Sequence, residues 1–337
     1  MTVTTVTPPA QRAFAALGDG EFHSGEALAE AAGVTRSAVW KSIETLRELG
    51  LRIDAVTHRG YRLAQPAEAL DAARIAGALD PALRPALRRL DVEWSLPSTN
   101  VALLEREPPP PGACEVLLVE HQSAGRGRRG RSWLAPLGGS LCLSIGASFD
   151  PLPRELSSLS LAIGVCTRRA LAARGGRGLQ LKWPNDLVTE AGKTGGILID
   201  LRAESGGPAY VVVGVGLNLR LDDAARAAVA ATGNAAVDLE SLGVDPRERN
   251  AVAAALVGEL LRGLAEFARH GFAPFAAEWG EADALRDRPV RVVAGAAELL
   301  GIARGIDASG ALQIELPDGR SQSVVAGEVS VRALPPP

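Results

Sequence analysis

Apolar residues follow helical spacing in some stretches of the chain and alternate with polar residues in others. Residues 11–63 show three short helical runs and then two short alternating runs. Residues 68–284 combine apolar runs typical of buried strands with longer helical spacing, and residues 289–334 alternate in short segments separated by turns. The pattern predicts an α+β fold with a central domain of strands and helices and a small C-terminal barrel. The predicted domains are residues 1–66, 67–284 and 285–337.

The first part has the pattern of a helix-turn-helix followed by a wing. Ser24 and Thr35 are suited to cap the second and third helices, because their hydroxyls accept hydrogen bonds from free N–H groups at a helix start. One arc of the third helix is apolar, formed by Val39, Ile43 and Leu46. Residues 51–63 then alternate around a turn at 58–60, which predicts two strands of a wing.

The polar arc of the third helix and the wing tip are the candidate DNA-binding surface. The candidate contacts are Arg36, Ser37, Trp40, Lys41 and Arg59. Seven basic and seven acidic residues in residues 11–63, and a net charge of −3 overall, give no general attraction to nucleic acid. DNA binding therefore depends on this local patch, and an accessory domain that binds no DNA is the alternative.

Composition and cysteine content indicate an ordinary globular protein of a reducing compartment. Hydrophobic residues make up 47% of the chain and charged residues 22%. Cys114, Cys142 and Cys166 lack metal-ligand spacing and stand in apolar surroundings, so they are predicted to be core thiols. An odd cysteine count, no signal peptide and no apolar run of about eighteen residues predict a cytoplasmic protein without a membrane partner.

Residues 125–131 read Gly-Arg-Gly-Arg-Arg-Gly-Arg and form the most unusual segment, which we call the Arg loop. Neighbouring guanidinium groups repel each other, and glycines cost backbone entropy when they become ordered, so the segment needs an anion. The three glycines also fit a dinucleotide-binding fingerprint, but that motif must open a helix. Here an apolar strand at 140–147 follows instead, which predicts a strand-to-strand anion site. A solvated surface or a nucleic-acid contact is the alternative.

Further polar residues and glycines are placed at predicted element ends. The stretch Ser98-Thr99-Asn100 is expected to cap a helix at 101–107, and a turn at 193–196 is expected to lead into a strand at 197–202. Residues 68–90 have helical spacing, and a strand begins at residue 91. The residues that these ends present are Ser98, Thr99, Asn100, Gln122, Lys182, Asn185, Gly195, Gly196, Gly214, Gly216 and Asn218.

In their order and spacing these motifs resemble biotin protein ligases of the longer bacterial type, which also repress the biotin operon. The resemblance covers nearly the whole chain. It rests on the winged helix-turn-helix, Ser98-Thr99-Asn100, Gln122, the Arg loop, and the segments at 182–186, 195–198, 214–218, 304–307, 310–312 and 327–332. The last three of these segments are similar to the small SH3-like domain of that family.

The resemblance implies an ATP-dependent ligase that joins biotin and MgATP into biotinyl-5′-adenylate. The biotinyl group then passes to a lysine of a biotin carboxyl carrier protein of acetyl-CoA carboxylase. The implied catalytic residues are Lys182, Arg126 and Arg128. The implied biotin contacts are Ser98, Thr99, Asn100, Gln122, Arg126, Arg128, Arg129, Gly130, Lys182, Gly195, Gly196 and Ile197. The implied nucleotide contacts are Gly125, Gly127, Arg129, Arg131, Trp133, Asn185 and Asn218, while no Mg²⁺ ligand is assigned.

Two departures from the family and two alternatives accompany this interpretation. The segment after Asn218 lacks the aromatic residue that covers adenine in the repressor type, and Trp40 replaces a polar residue. An effector-sensing transcription factor without ligase activity and a lipoate-type protein ligase are the alternatives. The resemblance also implies operator DNA as a partner and a homodimer promoted by adenylate, with the Arg loop becoming ordered around the ligand.

Overall fold

The computed structural model describes residues 6–153, 155–203, 208–231, 235–294, 297–325 and 329–333. Gly327 and Glu328 of the C-terminal motif, and residues 334–337 of the predicted third domain, lie outside these ranges. Within them the chain forms a two-stranded, a seven-stranded and a five-stranded sheet. Each sheet is built from one continuous part of the chain, and the three follow one another in the sequence. The α+β class predicted from the sequence is confirmed, whereas the exact domain boundaries stay predictions.

The N-terminal part is a winged helix-turn-helix. Its elements are α1 (Pro8–Leu17), α2 (Gly25–Ala32), α3 (Arg36–Glu48), β1 (Ile53–Val56) and β2 (Gly60–Leu63). The hydroxyls of Ser24 and Thr35 accept hydrogen bonds from the backbone N–H groups of Ala27 and Ala38, so both predicted caps are confirmed. The predicted apolar arc of α3 is buried. Gly60 at the wing tip has a φ of 99°, a conformation that favours glycine.

The central part is a mixed sheet in the order β3-β4-β5-β9-β8-β7-β6. The strands are β3 (Leu87–Leu96), β4 (Cys114–Gln122), β5 (Ser140–Phe149), β6 (Gln180–Lys182), β7 (Asp186–Thr189), β8 (Gly192–Ala203) and β9 (Ala209–Asn218). Strands β3 and β4 run parallel, and the other neighbouring pairs run antiparallel. The Arg loop therefore connects two antiparallel neighbours, β4 and β5, as predicted.

Helices cover both faces of this sheet. They are α4 (Ala72–Gly77), α5 (Thr99–Leu104), α6 (Leu159–Ala173), α7 (Asp223–Ala230), α8 (Arg249–His270) and α9 (Ala276–Ala282). Val116 and Leu118 of β4 belong to the core shared with α6 and α8, while Leu117 packs with Leu103 of α5. Because side chains alternate along a strand, α5 covers the face opposite to α6 and α8.

Several predicted local elements of the central part are wrong. Residues 68–90 do not form a long helix, because α4 is short, a 3₁₀ turn spans Pro81–Ala86, and β3 already begins at Leu87. The helix expected at 101–107 is α5, which ends at Leu104. The turn expected at 193–196 is part of β8, since Gly195 and Gly196 pair with β9. Helix α7 was not predicted.

The C-terminal part is an antiparallel sheet in the order β13-β12-β11-β10-β14. Its strands are β10 (Pro289–Ala294), β11 (Ala297–Ile306), β12 (Leu312–Glu315), β13 (Ser321–Val324) and β14 (Val329–Ala333). Gly310 and Gly319 have φ values of 83° and 80° at the predicted turns. Val290 and Leu312 belong to the same core as the central sheet, so the two parts pack closely. No helix among the described residues is long and apolar enough to cross a membrane.

A buried ion pair joins the central sheet to the segment that follows the winged domain. Arg249 Nη1 lies 2.7 Å from Glu120 Oε2, and the two side chains are 0% and 3% exposed. Arg249 also donates to the carbonyls of Glu68 and Ser140, while Glu120 accepts a hydrogen bond from the backbone N–H of Leu70. Each charge therefore has its ion-pair partner and at least one backbone hydrogen bond, although Arg249 Nε has no hydrogen-bond partner among the described residues.

Removal of one partner from this pair is expected to destabilise the central part strongly. Arg249→Met leaves the Glu120 carboxylate buried without its cation, which costs about 3–5 kcal/mol in comparable pairs. The change is measured as the free energy of unfolding in urea. The double variant Glu120→Leu, Arg249→Met is expected to cost less than the sum of the single variants. Strict additivity would show that the two charges do not interact.

Candidate functional site

A cavity of about 240 Å³ lies on the sheet where the Arg loop, α5, β8 and β9 meet. It contains many of the residues predicted from the sequence. These are Ser98, Thr99, Asn100, Gln122, Arg126, Gly127, Arg128, Arg131, Trp133, Asn185, Gly196, Ile197 and Asn218. Residues more than a hundred positions apart in the sequence therefore line one enclosed space.

Five predicted site residues do not line this cavity. Arg129 is exposed and has a φ of 59°, and Gly130 beside it is exposed as well. Gly125 and Gly195 are packed behind the lining, where a Cβ would lie 2.4 Å from Trp133 O and 2.7 Å from Gly216 O. Lys182 stands at the end of β6. Their assigned ligand contacts stay predictions.

A hydrogen-bonded polar cluster forms one end of the cavity. Gln122 Oε1 accepts hydrogen bonds from the backbone N–H and the hydroxyl of Thr99, at 3.0 and 3.2 Å. The Ser144 hydroxyl lies 2.7 Å from Thr99 Oγ1 and 2.6 Å from Asn100 Oδ1. Asn100 Nδ2 donates to Asp200 Oδ2 at 2.8 Å. These polar groups thus hold each other in fixed orientations.

Ser98 occupies the residue before α5 but does not cap it. The Ser98 side chain forms no capping hydrogen bond with α5, although the residue is only 4% exposed. The predicted position of the cap is therefore correct, but the predicted hydrogen bond from the cap to the helix is not formed. The Ser98 hydroxyl remains available to the cavity that it lines.

The Arg loop folds back on itself above the cavity. Gly127 N donates to Arg131 O at 2.7 Å, and the backbones of Arg126 and Ser132 pair as an isolated antiparallel β-bridge. Arg128 Nη1 donates to Asn185 Oδ1 at 3.2 Å. Burial lowers the pKa of the Arg128 guanidinium, and the charges of Arg131 and Arg129 add to this, while Asp186 opposes it. A bound anion would relieve the cost of that buried charge.

Lys182 and Lys193 place two more cations next to the Arg loop. Burial lowers the pKa of Lys182, against the opposing effect of Asp186. Lys193 Nζ lies 2.5 Å from Asp186 Oδ1 and 5.8 Å from the centroid of the Trp133 ring. Lys193 lines the cavity, whereas Lys182 does not. The Arg loop and these two lysines thus gather positive charge near the carboxylate of Asp186.

Asn218 presents a buried acceptor that has no partner among the described residues. Its Nδ2 atom donates to the carbonyls of Lys193 and Val237, at 3.4 and 3.3 Å. These two carbonyls fix the orientation of the amide, so Oδ1 is the free atom. Because a buried oxygen without a donor is costly, the site is suited to a ligand with an N–H group.

The Trp133 ring packs against β9 at Gly216, which has no side chain. A Cβ at Gly216 would lie 2.7 to 3.0 Å from atoms of the indole ring. A Cβ at Gly214 would lie 2.2 Å from Asn100 Oδ1. The glycines seen in the sequence therefore make room for a tryptophan and an asparagine.

The sequence interpretation missed several cavity residues. They are Ser132, Leu134, Cys142, Leu143, Lys193, Leu198, Val215 and Val229. Ser144, which lies beneath the cavity in the polar cluster, was missed as well. The serine within the otherwise apolar run of β5 was a usable signal, because side chains two apart share a face. Burial raises the pKa of Cys142 to about 12, so its thiol is protonated.

The candidate DNA-binding residues lie on the surface of the winged domain, four of them on α3 and Arg59 at the wing tip. Arg36, Ser37, Trp40, Lys41 and Arg59 are all exposed. The Trp40 side chain is 56% exposed on α3. The Arg59 guanidinium lies 4.1 Å from the centroid of the Phe22 ring, which supports it at the wing tip.

Comparison with known proteins agrees with this arrangement of parts. Three family models match: an HTH domain at residues 15–62, the biotin/lipoate A/B protein ligase family at 95–218, and the biotin protein ligase C terminal domain at 287–332. A solved biotin protein ligase from Aquifex aeolicus in complex with biotin and ATP is similar with a TM-score of 0.61 at 25% identity. The similarity covers 73% of this chain and 100% of that one.

Curated relatives extend the similarity over nearly the full length. The bifunctional ligase/repressor BirA of Escherichia coli is 38% identical over 95% of this chain and 96% of its own. The biotin--[acetyl-CoA-carboxylase] ligase of Mycobacterium tuberculosis is 36% identical over 72% of this chain and 88% of its own. The chain belongs to the family of bifunctional biotin ligase/repressor proteins.

Proposed function

We propose that the protein is a biotin protein ligase and a biotin-responsive repressor. The observation that carries this proposal is one cavity that joins a cluster of hydroxyl and amide groups to a cationic loop. Biotin has an uncharged ureido ring at one end and a carboxylate at the other. ATP brings a second anion to the carboxylate end, so the charge of the cavity suits both substrates.

The polar cluster is suited to the ureido group of biotin. Thr99, Asn100, Gln122 and Ser144 supply hydroxyl and amide groups that are already oriented by each other. Such an arrangement binds a small polar ring with little loss of side-chain entropy. Ile197 and the glycine backbone beside it face the apolar part of the ligand.

The nucleotide is placed at the other end, against Trp133 and Asn218. The free Oδ1 of Asn218 accepts a hydrogen bond from the exocyclic amino group of adenine. The Trp133 ring supplies an aromatic surface for the base, which compensates for the missing aromatic residue after Asn218. The indole therefore takes a role that the sequence left unassigned.

Adenylation requires attack of the biotin carboxylate on the α-phosphate of ATP. Both groups are anionic, so the barrier falls when nearby cations and fixed positions stabilise the developing charge. Arg126, Arg128 and Arg131 face the cavity, and Lys182 stands behind them with its charge partly desolvated. Pyrophosphate leaves, and the amine of the acceptor lysine then attacks the mixed anhydride and releases AMP. No covalent intermediate with the enzyme is needed.

Magnesium enters this reaction as MgATP. The described residues contain no group of three or more His, Cys, Asp or Glu side chains that could hold a metal ion. Mg²⁺ commonly binds through substrate phosphates with few protein ligands, which fits this site. Asp186 is the carboxylate that could complete its coordination next to Lys193.

The proposed partners are a biotin carboxyl carrier protein of acetyl-CoA carboxylase, operator DNA and a second copy of the chain. The exposed basic residues of α3 and the wing support DNA binding. A homodimer would present two winged domains to a palindromic site. A cytoplasmic location stays a prediction from the cysteines. No observation favours an effector-binding factor without ligase activity, or lipoate as the substrate.

The ligase proposal is tested by biotin-dependent exchange of pyrophosphate into ATP. Arg128→Ala is expected to slow exchange by about a hundredfold, because one charge-stabilising contact is worth a few kcal/mol in a desolvated site. Arg262→Ala is the control, because it removes an exposed arginine of α8 that does not line the cavity. Absence of exchange with the unaltered protein and biotin would refute the proposal. Exchange with lipoate in place of biotin would identify the lipoate-type alternative.

The dimer proposal is tested by sedimentation velocity. Biotin and ATP together are expected to shift the protein from monomer to dimer, because the adenylate neutralises and orders the Arg loop. Arg128→Ala is expected to need more ligand for the same shift. A monomer–dimer equilibrium that is the same with and without both ligands would exclude this coupling.

The DNA-binding proposal is tested with a random-sequence duplex at several salt concentrations. Arg59→Ala is expected to weaken binding and to reduce the slope of log affinity against log salt by about 0.9 for each phosphate that is no longer neutralised. Arg262→Ala serves as the control, since it removes an exposed arginine of α8. Equal slopes for the unaltered protein, Arg59→Ala and Arg262→Ala would show that the wing tip does not contact the DNA.

A further inference from the structure

Trp183 is a buried side chain that links the cavity to the C-terminal sheet. It follows Lys182 directly and is 1% exposed. Its indole Nε1 donates a hydrogen bond of 3.0 Å to the carbonyl of Gly310, which belongs to the turn between β11 and β12. The bond joins two parts of the chain that are 127 residues apart. Its location next to Lys182 suggests a role beyond packing.

A network around Asp307 fixes the position of the Gly310 carbonyl. Asp307 Oδ1 accepts hydrogen bonds from Ser309 N, Ser309 Oγ and Ala311 N at 2.9, 2.7 and 3.0 Å. Asp307 Oδ2 accepts a hydrogen bond from Gln313 Nε2 at 2.9 Å. Burial raises the pKa of the Asp307 carboxyl, but these donors together lower it below the ordinary value. The carboxylate is thus a strong acceptor that holds the turn in one shape.

The same turn is fitted closely against α6. Gly310 has a φ of 83°, and a Cβ there would lie 2.7 Å from Ser158 Cβ. Ser160 of α6 donates to the carbonyl of Pro184 at 2.9 Å. Trp183 and Pro184 are therefore held on two sides, by the Asp307 turn and by the first turn of α6.

The segment after Trp183 carries this restraint into the cavity. Asn185 Nδ2 donates to Ile197 O at 2.7 Å, and Asn185 Oδ1 accepts from Arg128 Nη1 at 3.2 Å. Lys182 and Asp186 are paired across β6 and β7 on either side of the turn. A displacement of Trp183 would therefore move Asn185, and with it the side chain that receives Arg128.

We propose that Trp183 is a positioning residue for adenylation, through which the Asp307 turn of the C-terminal sheet holds Asn185 against the Arg loop. The inference rests on the proposed function for its effect on catalysis, whereas its effect on the loop does not depend on it. Trp183 itself does not line the cavity. It acts through Asn185 and leaves the polar cluster that faces biotin unchanged.

The decisive variant is Trp183→Phe, which removes the indole N–H and keeps an aromatic ring. Trp279→Phe is the matched control, because Trp279 is also 1% exposed and lies in the same core. Asp307→Asn is a second variant that alters the turn without changing the tryptophan. We expect Trp183→Phe to lower kcat for pyrophosphate exchange by about tenfold, with KM for biotin changed less than about twofold.

A second measurement is independent of the enzymatic activity. Trypsin cleaves after arginine, so the rate of cleavage in the Arg loop, followed by mass spectrometry, reports how firmly Asn185 holds Arg128. We expect Trp183→Phe and Asp307→Asn to accelerate this cleavage at least about threefold relative to the unaltered protein and Trp279→Phe.

Equal cleavage rates in Trp183→Phe and Trp279→Phe would overturn the inference, because the indole would then serve packing alone. A fall in kcat that is the same in both Phe variants would overturn it as well. If the unaltered protein showed no exchange, the proposed function would fail, and the cleavage rates would still decide the role of Trp183.

Discussion

Arg249 and Glu120 form a buried ion pair on which the geometry of the central part depends. Arg249 reaches the carbonyls of Glu68 and Ser140, so it contacts the segment after the winged domain and the start of β5. Glu120 lies on β4, two residues before Gln122. The strand that delivers Gln122 and the strand that carries Ser144 therefore both contact this pair of charges, whose burial is compensated by the ion pair and by hydrogen bonds with backbone groups.

The cavity on this sheet has hydroxyl and amide groups at one end and cationic side chains at the other. The hydroxyl and amide groups of Thr99, Gln122 and Ser144 at one end are uncharged and hydrogen-bonded to one another or to their neighbours. The opposite end gathers Arg128 and Lys193, and burial makes the charge of Arg128 more costly. A ligand with a neutral ring and an anionic end fits this arrangement. The hydroxyl and amide groups suit the ring, and the cationic side chains suit the anion, while the reverse orientation would be unfavourable.

The sequence predicted the winged domain and the loop between β4 and β5 because their signals are local. Ser24 and Thr35 act within one helical turn, and apolar runs identified the buried strands β4 and β5, whereas the short β7 was not predicted. The turn expected at 193–196 failed, because Gly195 and Gly196 serve a neighbouring strand and not a turn. A Cβ at Gly195 would lie 2.7 Å from Gly216 O of β9, and periodicity along the chain does not report such a contact between strands.

The cavity residues show the same limit. Lys182 and Arg129 have the residue types that anion binding requires, but whether a side chain points into a cavity depends on packing between distant segments. Lys193 lines the cavity because the turn between β7 and β8 brings it beside Trp133. Local spacing therefore identified the segments that form the site, while the individual contacts came from the tertiary structure.

Gly214 and Gly216 show how the size of the cavity is encoded. The space occupied by Asn100 and the Trp133 ring exists because two positions of β9 have no side chains. A methyl group at Gly214 would overlap with Asn100, and one at Gly216 would overlap with the Trp133 ring. The shape of the cavity therefore depends on two side chains that are absent from β9. A substitution at either glycine fills this space, and a substitution elsewhere cannot easily create it again.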